Sequence, residues 1–280
     1  MQKYDERYEI ATKREYKVVK SNDLIQKARY ELSTQELKLM NYLFSLLKPN
    51  QTSKSVVFMI SDFCKVTGIQ ATNGGNYMHI RKILKALRDK SFYLSVDDGQ
   101  GEVTVGWLAK VELRKNSGVC RVTFEDELFQ YVQGLVKNFT AMELINTLAL
   151  RSAYSIRIYE FLRSYSALGR ITVDVNGFKH SLGADHYSNF KDFRVKAIEK
   201  AISEINEFTD IFVSYEAIKR GRRVDKLVFY IKQRSGMDKA VAQNKAARYI
   251  DGQIEMSDLY DMNTVEPPTV ITQTESWVTL

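Results

Sequence analysis

The sequence contains few of the residues that crosslink a chain or bind metals. Cysteine occurs only twice, as Cys64 and Cys120, and histidine three times in 280 residues. Two cysteines cannot form a disulfide framework, so we expect a reducing environment. No apolar run approaches the roughly 18 residues that span a bilayer, and the first ten residues lack the apolar core of a signal peptide. These absences predict a cytoplasmic protein that has no membrane partner.

Motifs of the common catalytic sites are also missing. None of His79, His180 and His186 has another histidine or a cysteine at metal-ligand spacing. The chain has no phosphate-binding G-x-x-x-x-G-K-[ST], no G-x-S-x-G and no G-x-G-x-x-G. It also lacks the His-x-His metal site that accompanies nicking tyrosines. We therefore expect a binding protein rather than an enzyme, with no cofactor and no metal.

Charge is unevenly distributed along the chain. The formal net charge is +7, but residues 236–280 carry three cations and seven carboxylates, so residues 1–235 carry +11. A basic body predicts a polyanionic partner, or a charge that serves only solubility. The acidic end holds two of the three prolines, which predicts a mostly disordered tail over 236–280. A short helix over 237–250 is the alternative, and residues 1–20 are predicted to form a flexible arm.

Two capping boxes mark predicted helix starts. Ser33 has Glu36 three residues later, followed by an amphipathic run. The same pattern recurs at Thr140 and Glu143. A longer helix is predicted over 152–168, because a glycine follows it as a stop signal.

One segment of the chain occurs twice, with a constant offset of 115 residues. ISDFCKVTG at 60–68 aligns without gaps on VNGFKHSLG at 175–183, and HIRKILKALRDK at 79–90 aligns on RVKAIEKAISEI at 194–205. Any two amphipathic helices align at some offset. Here the apolar positions coincide through two helices and their connection without an insertion. We interpret the pattern as an internal duplication of a helix–turn–helix.

Each repeat is preceded by a predicted helix and followed by predicted β-hairpins, which is the order of a winged-helix domain. The predicted fold class is therefore α+β, with tandem winged-helix domains related by internal duplication. We place the first domain at 21–138 and the second at 139–235. The second helix of a helix–turn–helix normally enters the DNA major groove, so groups that bind DNA are expected on these helices.

Both proposed groove helices combine an apolar face with a cationic face. Helical periodicity predicts four buried residues in each: Val195, Ile198, Ile202 and Ile205 in the second unit, and Ile80, Ile83, Leu84 and Leu87 in the first. The opposite or leading positions are the predicted DNA-binding residues: Lys191, Arg194, Lys196 and Lys200 in the second unit, and His79, Arg81, Lys82 and Lys85 in the first. A solvated cationic face is the alternative, and it explains one such helix better than two equivalent ones.

The densest charge in the chain lies at a predicted hairpin tip. The tip has one glycine among four cations: Lys219, Arg220, Gly221, Arg222 and Arg223. Such cations repel one another unless a polyanion is near, and arginine can enter a minor groove. We predict that this wing binds DNA, against the alternative of a solvated tip. The first wing has only Arg114 and Lys115 at its turn, which predicts unequal roles for the two domains.

The opening of the first domain resembles a known family. VVKSNDLIQKARYELSTQELKLMNYLFSLL at 18–47 is similar to the start of the iteron-binding plasmid replication initiators (RepB/RepE-like), whose Asn-x-Leu and arY-x-L-s-x-x-E-x-k-L patterns are both present. The matching residues are Asn22, Leu24, Ala28, Arg29, Tyr30, Leu32, Ser33, Glu36 and Leu39. Residues 151–234 resemble the family's second domain in three places: Ser155, Arg157, Tyr159 and Glu160; Phe178 and Lys179; and the run 190–194.

The resemblance implies a function. Family members bind direct repeats, called iterons, at a plasmid replication origin, and the second winged helix is the principal reader of the double-stranded DNA. They help to open the origin and recruit the host initiator and replicative helicase. A homodimer, formed largely through the first domain, is in equilibrium with the DNA-binding monomer and represses the protein's own promoter. The implied setting is the bacterial cytoplasm, in association with a plasmid.

A sequence-specific transcriptional repressor without initiator activity is the competing interpretation. Both functions need two helix–turn–helix units, so the protein sequence separates them poorly. Tandem direct repeats beside an AT-rich segment near the gene would favour initiation. A lone inverted repeat over the promoter would favour repression.

Overall fold

Two winged-helix units make up most of the computed structural model, which describes residues 2–69, 75–96, 100–114 and 117–253. Elements of the first half follow in chain order: α1 (Gln2–Arg14), β1 (Lys17–Ser21), α2 (Asn22–Gln26), β2 (Ala28–Arg29), α3 (Thr34–Ser45), β3 (Ser55–Met59), α4 (Ile60–Thr67), α5 (Gly75–Asp89), β4 (Ser91–Val96), β5 (Gly101–Gly106), β6 (Leu108–Leu113), β7 (Val119–Phe124) and α6 (Asp126–Phe129).

The second half of the chain continues with the other unit and a terminal helix. Its elements are β8 (Phe139–Glu143), α7 (Ile145–Leu148), α8 (Ala153–Ser164), β9 (Arg170–Asp174), α9 (Val175–Ser181), α10 (Phe190–Phe193), a π-helical turn (Arg194–Glu199), α11 (Lys200–Phe208), β10 (Ile211–Arg220), β11 (Arg223–Gln233) and α12 (Gly236–Ile250). Within the described ranges, no helix is long and apolar enough to cross a membrane.

The predicted tandem winged-helix fold is confirmed. In the first unit, α3, β3, α4 and α5 lead into the β6–β7 wing, and the antiparallel sheet has the order β3-β7-β6. In the second unit, α8, β9, α9 and α10–α11 lead into the β10–β11 wing, and the order is β10-β11-β9. The offset of 115 residues places β3 on β9 and the start of α4 on the start of α9. Gly68 and Gly183, which follow α4 and α9, both have left-handed backbones, with φ of 73° and 65°.

An inserted hairpin distinguishes the first unit from the second. Strands β4 and β5 lie between α5 and β6, and β4 pairs with β2 in a separate three-stranded sheet. The buried apolar residues of the two units form one continuous core. Helix α8 belongs to this core, since it packs on α2 and α3 of the first unit and on α11 of the second.

One of the two predicted capping boxes exists. Ser33 accepts a hydrogen bond from the backbone N–H of Glu36 at 3.3 Å, and its own N–H donates to the Glu36 carboxylate at 2.7 Å. The box predicted at Thr140 and Glu143 is wrong, because these residues lie in β8 and pair with β1. Strand pairing across more than a hundred residues of sequence overrides the local pattern there. The helix predicted over 152–168 is α8, which ends at Ser164.

Residues 2–20 and 236–250 form more regular structure than the disorder predicted for both segments. The flexible arm over 1–20 is a wrong prediction, because α1 and β1 occupy most of it and Arg14 is buried, with its Nε donating to the Val66 carbonyl at 2.9 Å. The prediction of disorder from 236 is wrong for α12, and the alternative of a short helix over 237–250 is confirmed. This helix buries Ala242, Ala246 and Ile250. Their partners are distant in sequence, so local composition does not reveal them. The rest of the predicted tail, from residue 254, lies outside the described residues. The domain division at 138 and 139 stays a prediction.

Low pH should weaken the contact between β8 and α12 and so lower the free energy of unfolding. Burial by itself would raise the pKa of Glu143, but hydrogen bonds from Lys17, Lys239 and Gln243 lower this pKa to about 2 from an ordinary value of 4.5. A carboxylate with a depressed pKa contributes stability above its unfolded pKa and loses it as the pH falls through the folded pKa. We therefore expect the free energy of unfolding of wild type to fall between about pH 4.5 and pH 2.

The variant Glu143→Gln tests this expectation. It should be less stable than wild type at pH 7, and the difference should shrink as the pH is lowered through that window. Urea denaturation at a series of pH values measures the difference directly. A difference that stays constant from pH 7 to pH 2 would contradict the assignment to Glu143.

Candidate nucleic-acid interface

The proposed groove helix of the second unit, here called its reading helix, consists of α10, the π-helical turn and α11. Asn189 caps its start by accepting a hydrogen bond from the Asp192 backbone at 2.9 Å. One side packs into the core through Phe193, Ala197, Ile198, Ala201 and Ile205. The three lysines predicted to contact DNA are exposed on this helix: Lys191, Lys196 and Lys200. The buried side positions the helix, and the lysines are free to meet a ligand from outside.

The π-helical turn changes which residues face the core. Val195, predicted to be buried, is 47% exposed, and Ile202 is only partly buried. A π turn inserts one residue into the helical repeat, so it rotates the residues before it relative to those after it. Val195 is thereby rotated away from the face that Ile198 and Ile205 occupy. π turns often occur at functional sites, and this one lies among the predicted DNA contacts.

Arg194 is less available than the lysines. It is half-buried, and its Nε lies 3.4 Å from Glu199 Oε1, within ion-pair distance but outside hydrogen-bond geometry. The Tyr215 hydroxyl lies 3.4 Å from the same carboxylate oxygen. Contact between Arg194 and DNA would require the guanidinium to leave Glu199. Its role in binding therefore stays a prediction.

The second wing projects beyond the sheet that supports it. Strand β9 pairs with β11 only over Lys226–Tyr230, so the hairpin beyond that range is two-stranded. The cations at its tip are all exposed, and no ion pair involves them in the described part of the chain: Lys219, Arg220, Arg222 and Arg223. Gly221 has a φ of 62°, with open space around its Cα. The tip is therefore a cationic projection whose charges are not neutralised within the described part of the chain.

The first unit presents a similar face on α5. Ile80, Ile83, Leu84 and Leu87 are buried as predicted. The four predicted contacts are exposed: His79, Arg81, Lys82 and Lys85. His79 contacts Gln35 Oε1 at 2.5 Å, and Lys85 lies 3.7 Å from Asp89. At the first wing Arg114 is exposed, whereas Lys115 lies outside the described residues.

Two cationic positions are equivalent in the repeat. The offset of 115 residues places Arg81 on Lys196 and Lys85 on Lys200, and all four are exposed. Lys82 has no such counterpart, since it falls on the buried Ala197. Two cations one helical turn apart thus occur at the same place in both reading helices.

Family models match both units. One described as "Initiator Replication protein, WH1" matches residues 17–163, and one described as "Initiator Rep protein, WH2" matches residues 174–231. The first alone covers more than half of the chain. This chain belongs to the initiator replication protein family. The match to both models agrees with the family resemblance seen in residues 18–47 and 151–234.

Two relatives place the initiator among known proteins. A crystal structure of the Pi initiator protein in complex with iteron DNA is similar with a TM-score of 0.64 and 22% identity, over 79% of this chain and 99% of that chain. At 22% identity this similarity shows a shared fold only. An uncharacterized 27.6 kDa protein of Escherichia coli is 25% identical over 119 residues, which are 41% of this chain and 49% of that protein. The initiator thus matches about half the length of that relative.

A buried arginine of α8 joins the two units of the initiator, a role that sequence reasoning missed. Arg157 donates to the carbonyls of Ala28 and Tyr30 in the first unit at 3.1 and 2.9 Å. It also donates to the carbonyl of Ser181, at the end of α9 in the second unit. Its guanidinium lies 4.0 Å from the centre of the Tyr30 ring. In the sequence Arg157 stands out as a cation among apolar residues and as part of the family motif, but neither signal shows that it joins the units.

A second buried charge of α8 faces β1. Glu160 Oε1 accepts hydrogen bonds from Lys20 Nζ at 2.7 Å and from Asn41 Nδ2 at 2.9 Å. The Lys20 and Glu160 side chains are 5% and 3% exposed. Burial lowers the pKa of Lys20, although the Glu160 carboxylate opposes that shift. The pair thus fixes α8, on which the second unit rests, to the start of the first.

Proposed function

We propose that this initiator binds iterons, the direct repeats of a plasmid replication origin, with its two winged helices. The equivalent exposed cations on α5 and on α10–α11 carry the proposal. A lone cationic helix is often only solvated, but the pairs Arg81 with Lys196 and Lys85 with Lys200 recur at the same places in two reading helices. The second unit, which alone has four cations at its wing tip, is the principal reader.

We further propose that binding helps to open the origin and brings host replication proteins to it. In this proposal the initiator has no catalysis of its own and acts in the bacterial cytoplasm, in association with its plasmid. A homodimer in equilibrium with the DNA-binding monomer represses the protein's own promoter. Family membership supports these steps, and sedimentation of the protein with and without origin DNA tests the dimer.

Footprinting on the DNA that flanks the gene tests the proposed function. Protection of tandem direct repeats beside an AT-rich segment is the expected result. If the two units neutralise about 6–10 phosphates, log Kd should rise with log salt with a slope near 0.9 per phosphate. Protection confined to one inverted repeat over the promoter would favour a repressor. Binding that is insensitive to salt would contradict the role of the cationic faces.

Lys196 and Lys200 should behave as base readers rather than as general cations. A recognition helix lies in the major groove against the base edges, and both lysines are exposed on this helix. Replacing either with alanine should cost about 1–3 kcal/mol on the cognate site and relax the preference at one base position. Binding measurements on a set of single-base variants of the site check this prediction. An equal loss on cognate and random DNA would show that the lysine contacts phosphate only.

A further inference from the structure

Helix α12 connects the reading helix of the second unit with the first helix–turn–helix. It is 15 residues long, which corresponds to about 22 Å. Its first half is tied to β8 and α7: Lys239 Nζ lies 2.8 Å from Glu143 Oε1, and Gln243 contacts both Glu143 and Asn146. From there it runs along the second unit and ends on the first.

The second half of α12 packs on the C-terminal end of α11. Lys245 Nζ lies 2.8 Å from Glu207 Oε1. The rings of Tyr249 and Phe208 are stacked, with centroids 5.1 Å apart and an interplanar angle of 26°. Phe208 is fully buried. An ion pair and a ring stack thus hold α12 against α11.

The C-terminal end of α12 rests on the turn after α4. A Cβ added at Gly68 would lie only 1.9 Å from the Ile250 carbonyl oxygen, so the two backbones are in direct contact. One residue later, Asp251 Oδ1 lies 2.6 Å from the guanidinium of Arg14. The same guanidinium is held by the Val66 carbonyl. A backbone contact and a partly buried ion pair thus fix the end of α12 to the first helix–turn–helix.

We propose that α12 with Asp251, here called the strap, sets the distance and angle between the two DNA-reading helices. The strap and α1 lie outside both matched segments, 17–163 and 174–231. The inference rests on the proposed function, and it assigns to these terminal elements a role in choosing DNA sites. A fixed pair of reading helices accepts one spacing between the two DNA segments that they contact.

The geometry of DNA makes this spacing selective. Inserting one base pair separates the two segments by about 3.4 Å and rotates one relative to the other by about 35°. Two rigidly held units cannot both follow that change, so one of them loses its contacts. Engaging a second linked site raises affinity by about 10²–10⁴-fold. We therefore expect wild type to lose about 100-fold in affinity when one base pair is inserted between the segments it protects.

The variant Gly68→Ala is designed to displace the strap. Its Cβ would collide with the Ile250 carbonyl, and its φ of 73° would strain the backbone. Gly134→Ala is the matched control, because Gly134 has a φ of 68° with nothing within 4 Å of the added Cβ. Asp251→Ala is a second variant, which removes the ion pair without a collision. Gly68→Ala and Asp251→Ala should lose about tenfold or less on insertion of a base pair, whereas Gly134→Ala should behave as wild type.

A measurement without DNA separates this inference from the proposed function. Spin labels on Thr104→Cys and Thr172→Cys, both exposed, report the distance between the units, while the two native cysteines are buried. The distance distribution should be narrow in wild type and Gly134→Ala, and broader or shifted in Gly68→Ala and Asp251→Ala.

Failure of the strap inference and failure of the proposed function give different results. If the distribution is unchanged in both strap variants while they remain folded, the strap does not set the arrangement. The same conclusion follows if both variants discriminate spacing as strongly as wild type. If wild type binds no DNA from the flanks of its gene, the proposed function fails, and the distance measurement still decides whether the strap holds the units together.

Discussion

Glu160→Ala is expected to lower the free energy of unfolding by about 3–5 kcal/mol, the cost of breaking a buried ion pair by removing one partner. Both Lys20 and Glu160 are almost fully buried, so the variant leaves an ammonium group with no counter-charge within the core. Asn41 also loses its acceptor, and its own Oδ1 already lacks a hydrogen-bond partner. Urea denaturation measures the change in the free energy of unfolding when wild type and variant have the same m-value.

Two further variants identify the cause of that loss. Glu160→Gln keeps an acceptor but removes the charge. Burial lowers the pKa of Lys20, so this lysine becomes neutral in the folded state at high pH. The difference in the free energy of unfolding between wild type and Glu160→Gln should therefore shrink at high pH. Glu112→Gln is the exposed control, since Glu112 pairs with Lys110 at the surface, and it should cost no more than about 1 kcal/mol. A similar small cost for Glu160→Ala would show that the buried pair contributes little.

The winged-helix fold could be predicted because its signals are local and occur twice. Gly68 and Gly183 mark the same turn in two repeats, and the buried face of α5 follows the helical period without interruption. In the second unit the same reasoning fails at Val195, because a π turn alters the period that the prediction assumes. Lys191, Lys196 and Lys200 are exposed all the same, since a cation without a buried partner stays in contact with water, whereas Arg194 is half-buried beside Glu199.

Elements whose partners are remote in sequence could not be predicted. The pattern at Thr140 resembles a helix start, yet β8 forms because β1 offers a strand to pair with. Arg14 lies in a mixed-charge segment and finds its carboxylate 237 residues away, at Asp251. Arg157 is visible as part of a family motif, but only the fold shows that it joins the two units. Each of these contacts joins segments that lie far apart in sequence, which a local pattern does not reveal.

Replacing Arg222 and Arg223 with alanine is expected to weaken DNA binding strongly without changing the fold. Both side chains are exposed at the wing tip, so each substitution should change the free energy of unfolding by no more than about 0.5 kcal/mol. The double variant loses two contacts that release counterions. The slope of log Kd against log salt should therefore fall by about two. Initiation in cells should fail. A thermal melt alongside a salt titration of binding tests both parts.

The double variant Lys137→Ala and Lys232→Ala is a control of equal charge. Both lysines are exposed, and Lys232 lies nine residues along β11 from Arg223, about 30 Å from the tip. It should leave the salt slope almost unchanged, because Lys232 lies far from the tip and Lys137 lies outside both wings and both proposed groove helices. If the tip enters an AT-rich minor groove, the loss caused by the wing variant should be larger on sites with a narrow groove there. A similar loss on all sequences would indicate phosphate contact. Unchanged affinity and slope in a folded wing variant would show that the four cations are only solvated and that the second wing does not bind DNA.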